Sequence, residues 1–252
     1  MIVAVANQKG GVGKTTTSVS LGAYLSQVRR VLVVDMDPQA NATTAIGFDE
    51  KDLESSIYEV LVDGKSMSEV VLPTRHPNLQ IAPSARRLAG AEVEMVNMMA
   101  RESRLYRAIQ PVMSSYDLAI IDCPPSLGLL TINALTAADA VLIPVQCEYL
   151  ALEGLGQLLH TIDLVRESLN PRISLLGVLL TMHDGRTNLS TQVVEDVRSH
   201  FTDLTFETVI PRNIRLTEAP SYGKTILEYD PTSRGAQAYA ALAREVAARL
   251  WQ

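Results

Sequence analysis

Cysteine is nearly missing from this chain of 252 residues, which has Cys123 and Cys147 and no others. Two thiols cannot build a disulfide scaffold, and their separation is no metal-ligand spacing. Both are expected as buried, reduced side chains of a cytosolic protein. A surplus of positive charge is missing too. The net charge is −6, the opposite sign to a dedicated nucleic-acid binder, so any contact with DNA must come from a local basic patch, such as one an oligomer assembles. No uninterrupted apolar stretch reaches about 18 residues, so nothing is expected to span a bilayer. The apolar run Ile2–Ala6 stops at Asn7 and has no basic start, unlike a signal peptide. Internal repeats, low-complexity tracts and long linkers are lacking as well, which favours one domain over residues 1–252. A soluble protein of the cytoplasm is the expectation.

What is present is alternation. Short apolar runs fall at Ile2–Ala6, Val31–Asp35, Leu79–Ala82, Leu118–Asp122, Val141–Val145, Leu175–Thr181 and Thr208–Ile210. Most are β-branched and apolar on both faces, the pattern of strands covered on each side. Between them lie stretches of helical period: Lys14–Gln27, Leu88–Ala100, Ser103–Met113, Leu129–Ala138, Leu150–Leu169, Leu189–Phe201 and Ser233–Leu250. Strand–helix alternation implies right-handed crossovers and an α/β fold: a doubly wound, mostly parallel sheet with helices on both faces. Ligands of such sheets bind at the carboxyl ends of the strands. Phe48–Pro77 is the least regular segment and reads as a surface excursion. Met95, Met98 and Met99 share a predicted helix, as flexible packing or as a partner-binding surface.

The first strand runs directly into Asn7-Gln8-Lys9-Gly10-Gly11-Val12-Gly13-Lys14-Thr15-Thr16-Thr17 and then a helix. Glycines at 10, 11 and 13 let backbone N–H groups turn inward around phosphate oxygens. The helix behind them adds roughly half a positive charge at its N-terminus. Lys14 offers a full charge to β- and γ-phosphates, and the Thr15 hydroxyl is placed to ligate Mg²⁺. A strict P-loop has glycine five residues before Gly13, where this chain has Gln8, while Lys9 adds a second lysine. Asp35 and Asp37 end one apolar strand and Asp122 ends another, so all three should converge beside the loop. A carboxylate there typically holds Mg²⁺, directly or through water.

Lys9–Thr16, reading Lys-Gly-Gly-Val-Gly-Lys-Thr-Thr, resembles the deviant Walker A loop of the ParA/MinD class of P-loop ATPases. The likeness continues through Val-Leu-Val-Val-Asp-Met-Asp-Pro-Gln (31–39), Ile-Ile-Asp-Cys-Pro-Pro (120–125), Val-Gln-Cys-Glu-Tyr-Leu-Ala-Leu-Glu-Gly (145–154) and Ile-Pro-Arg-Asn-Ile-Arg-Leu-Thr-Glu-Ala-Pro (210–220). In this order the motifs resemble the chromosomal, Soj-like ParA subgroup from end to end. One departure is the turn Gln27–Arg30, a residue short and without the family's helix-stopping glycine.

The resemblance implies ATP and Mg²⁺ as ligands, bound by Lys9, Gly10, Gly11, Val12, Gly13, Lys14, Thr15 and Thr16, with Pro211, Arg212 and Asn213 framing the adenine. It gives Asp37 the orientation of the attacking water, Asp122 the Walker B position and Asp35 a supporting place. Thr15, Asp37 and Asp122 would hold the metal. Lys9 would cross to the partner's ATP in a sandwich homodimer and neutralise charge as an arginine finger does. Lys9, Lys14 and Asp37 are thus the expected catalytic set. Arg186 and Arg215 stand where the subgroup contacts non-specific DNA, a contact that needs only exposed cations. Lys224 and Arg234 are weaker candidates.

Slow ATP hydrolysis, stimulated by a ParB-like partner, would then serve chromosome or plasmid partitioning on the nucleoid. The first strand starts at residue 2 with no helix-turn-helix before it, so operator-specific binding is not expected. A MinD-like membrane ATPase is the alternative. Tyr239, Leu242, Val246 and Leu250 form one stripe that could lie on a membrane, but the segment is Ala-rich, lacks lysine and reads as the closing helix of the domain, so no stable membrane association is expected. An iron–sulfur reductase with four thiolates across a dimer axis fits less well, because neither Cys123 nor Cys147 has the required position.

Overall fold

A computed structural model describes residues 1–148 and 153–251. Its strands are β1 (Ile2–Val5), β2 (Val31–Asp35), β3 (Leu72–Pro73), β4 (Leu79–Ala82), β5 (Leu118–Asp122), β6 (Ala140–Gln146) and β7 (Ser174–Thr181). The helices are α1 (Lys14–Leu25), α2 (Asn41–Ile46), α3 (Ile57–Leu61), α4 (Leu88–Glu94), α5 (Arg104–Ile109), α6 (Leu129–Ala137), α7 (Glu153–Ser168), α8 (Asn188–His200), α9 (Ile214–Ser221), α10 (Ile226–Tyr229) and α11 (Arg234–Leu250). Tyr149–Leu152, inside the motif at 145–154 and at the start of the expected helix Leu150–Leu169, lie outside the described residues.

The seven strands lie in the order β3-β4-β2-β5-β1-β6-β7, all parallel except β3, which pairs antiparallel with β4 at the edge. Alternate residues face opposite layers. Ala4, Leu32, Val34, Ala119, Ile121 and Val141 pack with Leu61, Leu88, Leu105, Leu130 and Leu158 on one side. Val3, Val5, Val31, Val33, Ile120 and Leu142 pack with Val19, Leu21 and Leu25 of α1 and Tyr239, Leu242 and Val246 of α11 on the other. Continuously apolar strands are what a sheet covered twice requires. In the α11 stripe, Tyr239, Leu242 and Val246 are therefore buried in the layer that α1 shares, with Leu250 half-buried at its end. Among the described residues no helix is long and apolar enough to cross a membrane.

Chain direction splits at β1. From it the chain steps over β5 to β2, whereas β6 pairs on its other side. This switch point opens a crevice at the carboxyl ends of β1, β5 and β2.

Two expectations need correction. Thr208–Ile210 is no strand. The Ile210 N–H does donate to the Leu180 carbonyl at 2.9 Å, but the isolated bridges here, Val178–Thr205 and His183–Pro211, fall on either side of the segment and not in it. Nor is Phe48–Pro77 a surface excursion. Ile57, Leu61, Met67 and Val70 are buried in the same core as Met95 and Ile109. Ser56 and Glu59 form a capping box that starts α3 within this segment. At the methionines, Met95 is fully buried and Met98 packs against the core, while Met99 is 92% exposed.

Candidate functional site

The phosphate-type loop fills the turn between β1 and α1. Gly11 and Gly13 hold φ of 75° and 90°, a left-handed backbone that costs a side-chain-bearing residue energy and costs glycine little. Buried contacts brace the loop from both ends. Asn7 donates to the Pro144 carbonyl at 2.7 Å and accepts from the Lys9 N–H at 2.9 Å. Thr181, at the end of β7, donates its hydroxyl to the Val12 carbonyl at 2.9 Å. The Lys14 ammonium turns back to the Lys9 carbonyl at 3.0 Å. Burial holds that ammonium below its ordinary pKa, and the nearby Asp122 carboxylate opposes the shift. The Lys9 side chain is exposed and makes no ion pair among the described residues.

Asp122 is fully buried behind the start of α1. Its two oxygens accept from the Thr15 hydroxyl at 2.8 Å and the Ser18 hydroxyl at 2.9 Å. Burial, then the charge of Asp35 on the neighbouring strand, push its carboxyl up to about 8. Because Thr15 directs its proton at Asp122, its lone pairs are left for a cation. Asp35 is pushed up to about 6 by burial, against hydrogen bonds from Thr43 and the Asp37 N–H. Asp37, in contrast, borders the cleft.

That cleft has a volume of about 620 Å³. Gly10, Gly11, Gly13, Lys14, Thr15 and Thr16 line one end, and Pro211, Arg212 and Asn213 border it further along. Lys9, Val12 and Asp122 do not border it. Arg212 donates its N–H to the His183 carbonyl at 2.9 Å, and its guanidinium lies 3.3 Å from Glu148. The Asn213 side chain caps α9 by accepting from the Arg215 N–H at 2.9 Å.

These donors suit a magnesium nucleotide. Magnesium bound with phosphates takes few protein ligands and keeps waters, and Thr15 backed by Asp122, with Asp37 on the wall, is such a set. Among the described residues no group of three or more His, Cys, Asp or Glu could hold an ion alone. Cys123 and Cys147 are free and buried. Burial raises both thiols, that of Cys147 to about 11, as inert core residues require.

Arg186 and Arg215 lie outside the cleft, each beside a carboxylate. Arg186 is 86% exposed yet bidentate to Asp184, at 2.8 and 2.6 Å, and holds that carboxyl well below its usual range. Arg215 meets Glu218 at 2.8 Å and Asp230 at 3.5 Å.

Several site residues have no place in the motif reading: Thr181 and Asn41 on the cleft, and Thr43 and Ser84 behind Asp37; Thr217, in the 210–220 motif without a role, and Lys224, read as a weaker DNA candidate, also border the cleft. The signal for Thr181 was its place at the carboxyl end of an apolar strand. The others belong to short or irregular segments without a period.

A family model described as "AAA domain" matches residues 1–175. The chain is 58% identical over 248 residues to the sporulation initiation inhibitor protein Soj of Bacillus subtilis, covering 98% of each. It is 53% identical to the chromosome partitioning protein ParA of Myxococcus xanthus, covering 98% of this chain and 88% of that protein. Among solved structures, one described as cobyrinic acid a,c-diamide synthase from Mycobacterium smegmatis, with bound ATP analog and magnesium, superimposes with a TM-score of 0.84 at 42% identity. It covers 96% of this chain and 92% of that one.

Proposed function

This chain belongs to the ParA/Soj family of chromosome-partitioning ATPases, and from that premise we propose that it is an ATP-operated switch in chromosome or plasmid partitioning, with residues 1–252 acting as one ATPase domain. The observation that carries this is the single cleft bordered by the glycine loop, Lys14, Thr15, Asp37 and the Pro211–Asn213 segment. Relatives at 58% and 53% identity over nearly the whole chain favour partitioning over the synthase reading of the 42% neighbour. A MinD-like role on membranes has less support.

The residues divide the work. Backbone N–H groups of residues 10–16 and the α1 N-terminus cradle the phosphates. Lys14 leaves the Lys9 carbonyl to place its charge on the β- and γ-phosphates. Mg²⁺, held through Thr15 with Asp122 behind it and Asp37 beside the cleft, would neutralise charge on the phosphates. Asp37 accepts a hydrogen bond from the attacking water and orients it. Lys9, exposed and without an ion pair among the described residues, reaches the nucleotide of a second copy, so that ATP is enclosed between two loops of a homodimer. The dimer displays Arg186 and Arg215 to non-specific DNA of the nucleoid, and hydrolysis, stimulated by a ParB-like protein, dissolves it.

Gel filtration of Asp37→Ala with and without Mg-ATP tests this reading. The variant should bind ATP, turn it over at least 10-fold more slowly than the parent and persist as a dimer. Monomers at saturating ATP, or turnover at the parental rate, would remove Asp37 and the timed dimer from the account. Lys14→Ala should lose ATP binding altogether.

A further inference from the structure

Asp37 borders the cleft, but its own main chain is gripped from behind by Asp35 and by two hydroxyls no motif names. Asp35 accepts the Asp37 N–H at 3.1 Å with one oxygen. With the other it accepts the Thr43 N–H at 2.8 Å and the Thr43 hydroxyl at 2.7 Å. The Thr43 oxygen in turn accepts the Ser84 N–H at 2.9 Å, and the Ser84 hydroxyl donates to the Asp37 carbonyl at 2.7 Å. The ring closes on itself: Asp35, Asp37, Ser84, Thr43 and back to Asp35. Asp35, Thr43 and Ser84 have no solvent exposure.

Each member comes from a different part of the fold: Asp35 from the end of β2, Thr43 from α2, and Ser84 from just beyond β4. Hydroxyls in a helix or after a strand commonly bond their own backbone. These two instead reach across elements, Ser84 to the Asp37 carbonyl and Thr43 to the Asp35 carboxylate that holds the Asp37 N–H. Both polar groups of the Asp37 peptide are held, its N–H by Asp35 and its carbonyl by Ser84, with the Ala40 N–H also on that carbonyl at 2.9 Å. The side chain is then steadied by its own short turn, the Gln39 N–H donating to it at 2.9 Å. A reacting group helps only if it waits in the right place, and displacement of about 1 Å can cost 10²-fold in rate.

We propose that Thr43 and Ser84 are positioning residues for ATP hydrolysis, which act by fixing the main chain of Asp37. The inference rests on the ATPase reading above and goes beyond it, because neither residue touches nucleotide in that reading. Binding should be nearly indifferent to the ring, since phosphates are held by the loop and α1. Turnover should depend on it.

The test is steady-state ATPase kinetics of Ser84→Ala, Thr43→Val and Thr43→Ser, each first shown to be folded by its melting temperature and to bind ATP. Ser84→Ala and Thr43→Val should lose about 10-fold or more in kcat, with KM for ATP within about twofold of the parent. Thr43→Ser, which keeps the hydroxyl, should recover most of the loss. In an Asp37→Ala background, Ser84→Ala should add no further loss, because what it positions is gone. A purely structural role would instead lower the melting temperature, leave kcat unchanged well below it, and add to Asp37→Ala. Parental kcat in Ser84→Ala, or a Thr43→Ser as slow as Thr43→Val, overturns the proposal while the ATPase reading stands. Absence of hydrolysis by the parent overturns both.

Discussion

Asp35, Asp37 and Asp122 share one small region with one buried ammonium, that of Lys14. Such crowding has a thermodynamic signature. Unfolded, an Asp releases its proton near pH 4; folded, Asp122 holds it to about 8 and Asp35 to about 6. Between those limits the native state binds the extra proton, so stability is highest at the acid end and falls as pH rises through the folded values. One retained proton corresponds to about 1.4 kcal/mol per pH unit, and in a chain of this size 1 kcal/mol moves Tm by about 2–4 °C. The metal- and nucleotide-free protein should therefore lose several degrees of Tm between pH 6 and 8, read by calorimetry in EDTA. Lys14, held low by burial, works in the other sense only where it begins to lose its proton, which sets the upper limit of the window. Asp122→Asn should flatten the profile, and an unchanged slope would assign the effect to other groups.

At the scale of elements, the nucleotide cleft has α2 and α9 as two of its walls, with a junction between them. Gly47, just past α2 with φ of 105°, meets the turn after α9, where a Cβ on Gly47 would lie 2.9 Å from the Gly223 carbonyl oxygen. Arg75, between β3 and β4, donates to that carbonyl and to the Ile46 carbonyl, and pairs with Glu228 of α10 at 3.3 Å. Gly47→Ala forces strain of order 1–3 kcal/mol into this junction and parts the walls. ATP affinity, measured by titration, should drop about 5-fold or more, with the fold retained; undiminished affinity would mean the walls hold the base independently. The junction shows where the sequence was readable and where it was not. The parallel strands were legible because most are apolar on both faces, β2, β4 and β5 to the residue. The convergence of the glycine loop, Asp37 and Asp122 on one region was legible because glycines, a lysine and carboxylates fall at or just past strand ends. Helices α2, α3 and α10 span six, five and four residues, too short for a 3.6-residue period to emerge, and they are held by tertiary packing and caps. Thr43 and Ser84 stayed hidden for the same reason: a lone hydroxyl has no pattern, and its meaning lies in a partner distant along the chain.

For the molecule as a whole, charge is the quantity that conflicts with a DNA role. A net charge of −6 repels a polyanion, and both candidate arginines already have carboxylate partners. Phosphate contact must therefore compete with an intramolecular partner, and the bidentate Arg186–Asp184 pair is the stronger competitor. Exposed pairs contribute little to stability, about 0–1 kcal/mol, so opening one is cheap, yet the partner's negative charge stays beside the phosphate. It follows that Asp184→Asn should bind DNA more tightly than the parent in the presence of ATP, by several-fold at about 0.1 M salt. Arg186→Ala should bind more weakly and lower the slope of log affinity against log salt by about 1. The two changes pull the same contact in opposite directions, so a fold defect cannot imitate both. Equal affinity of parent and both variants across a salt titration would take Arg186 out of the DNA surface and leave Arg215 as the candidate to test next.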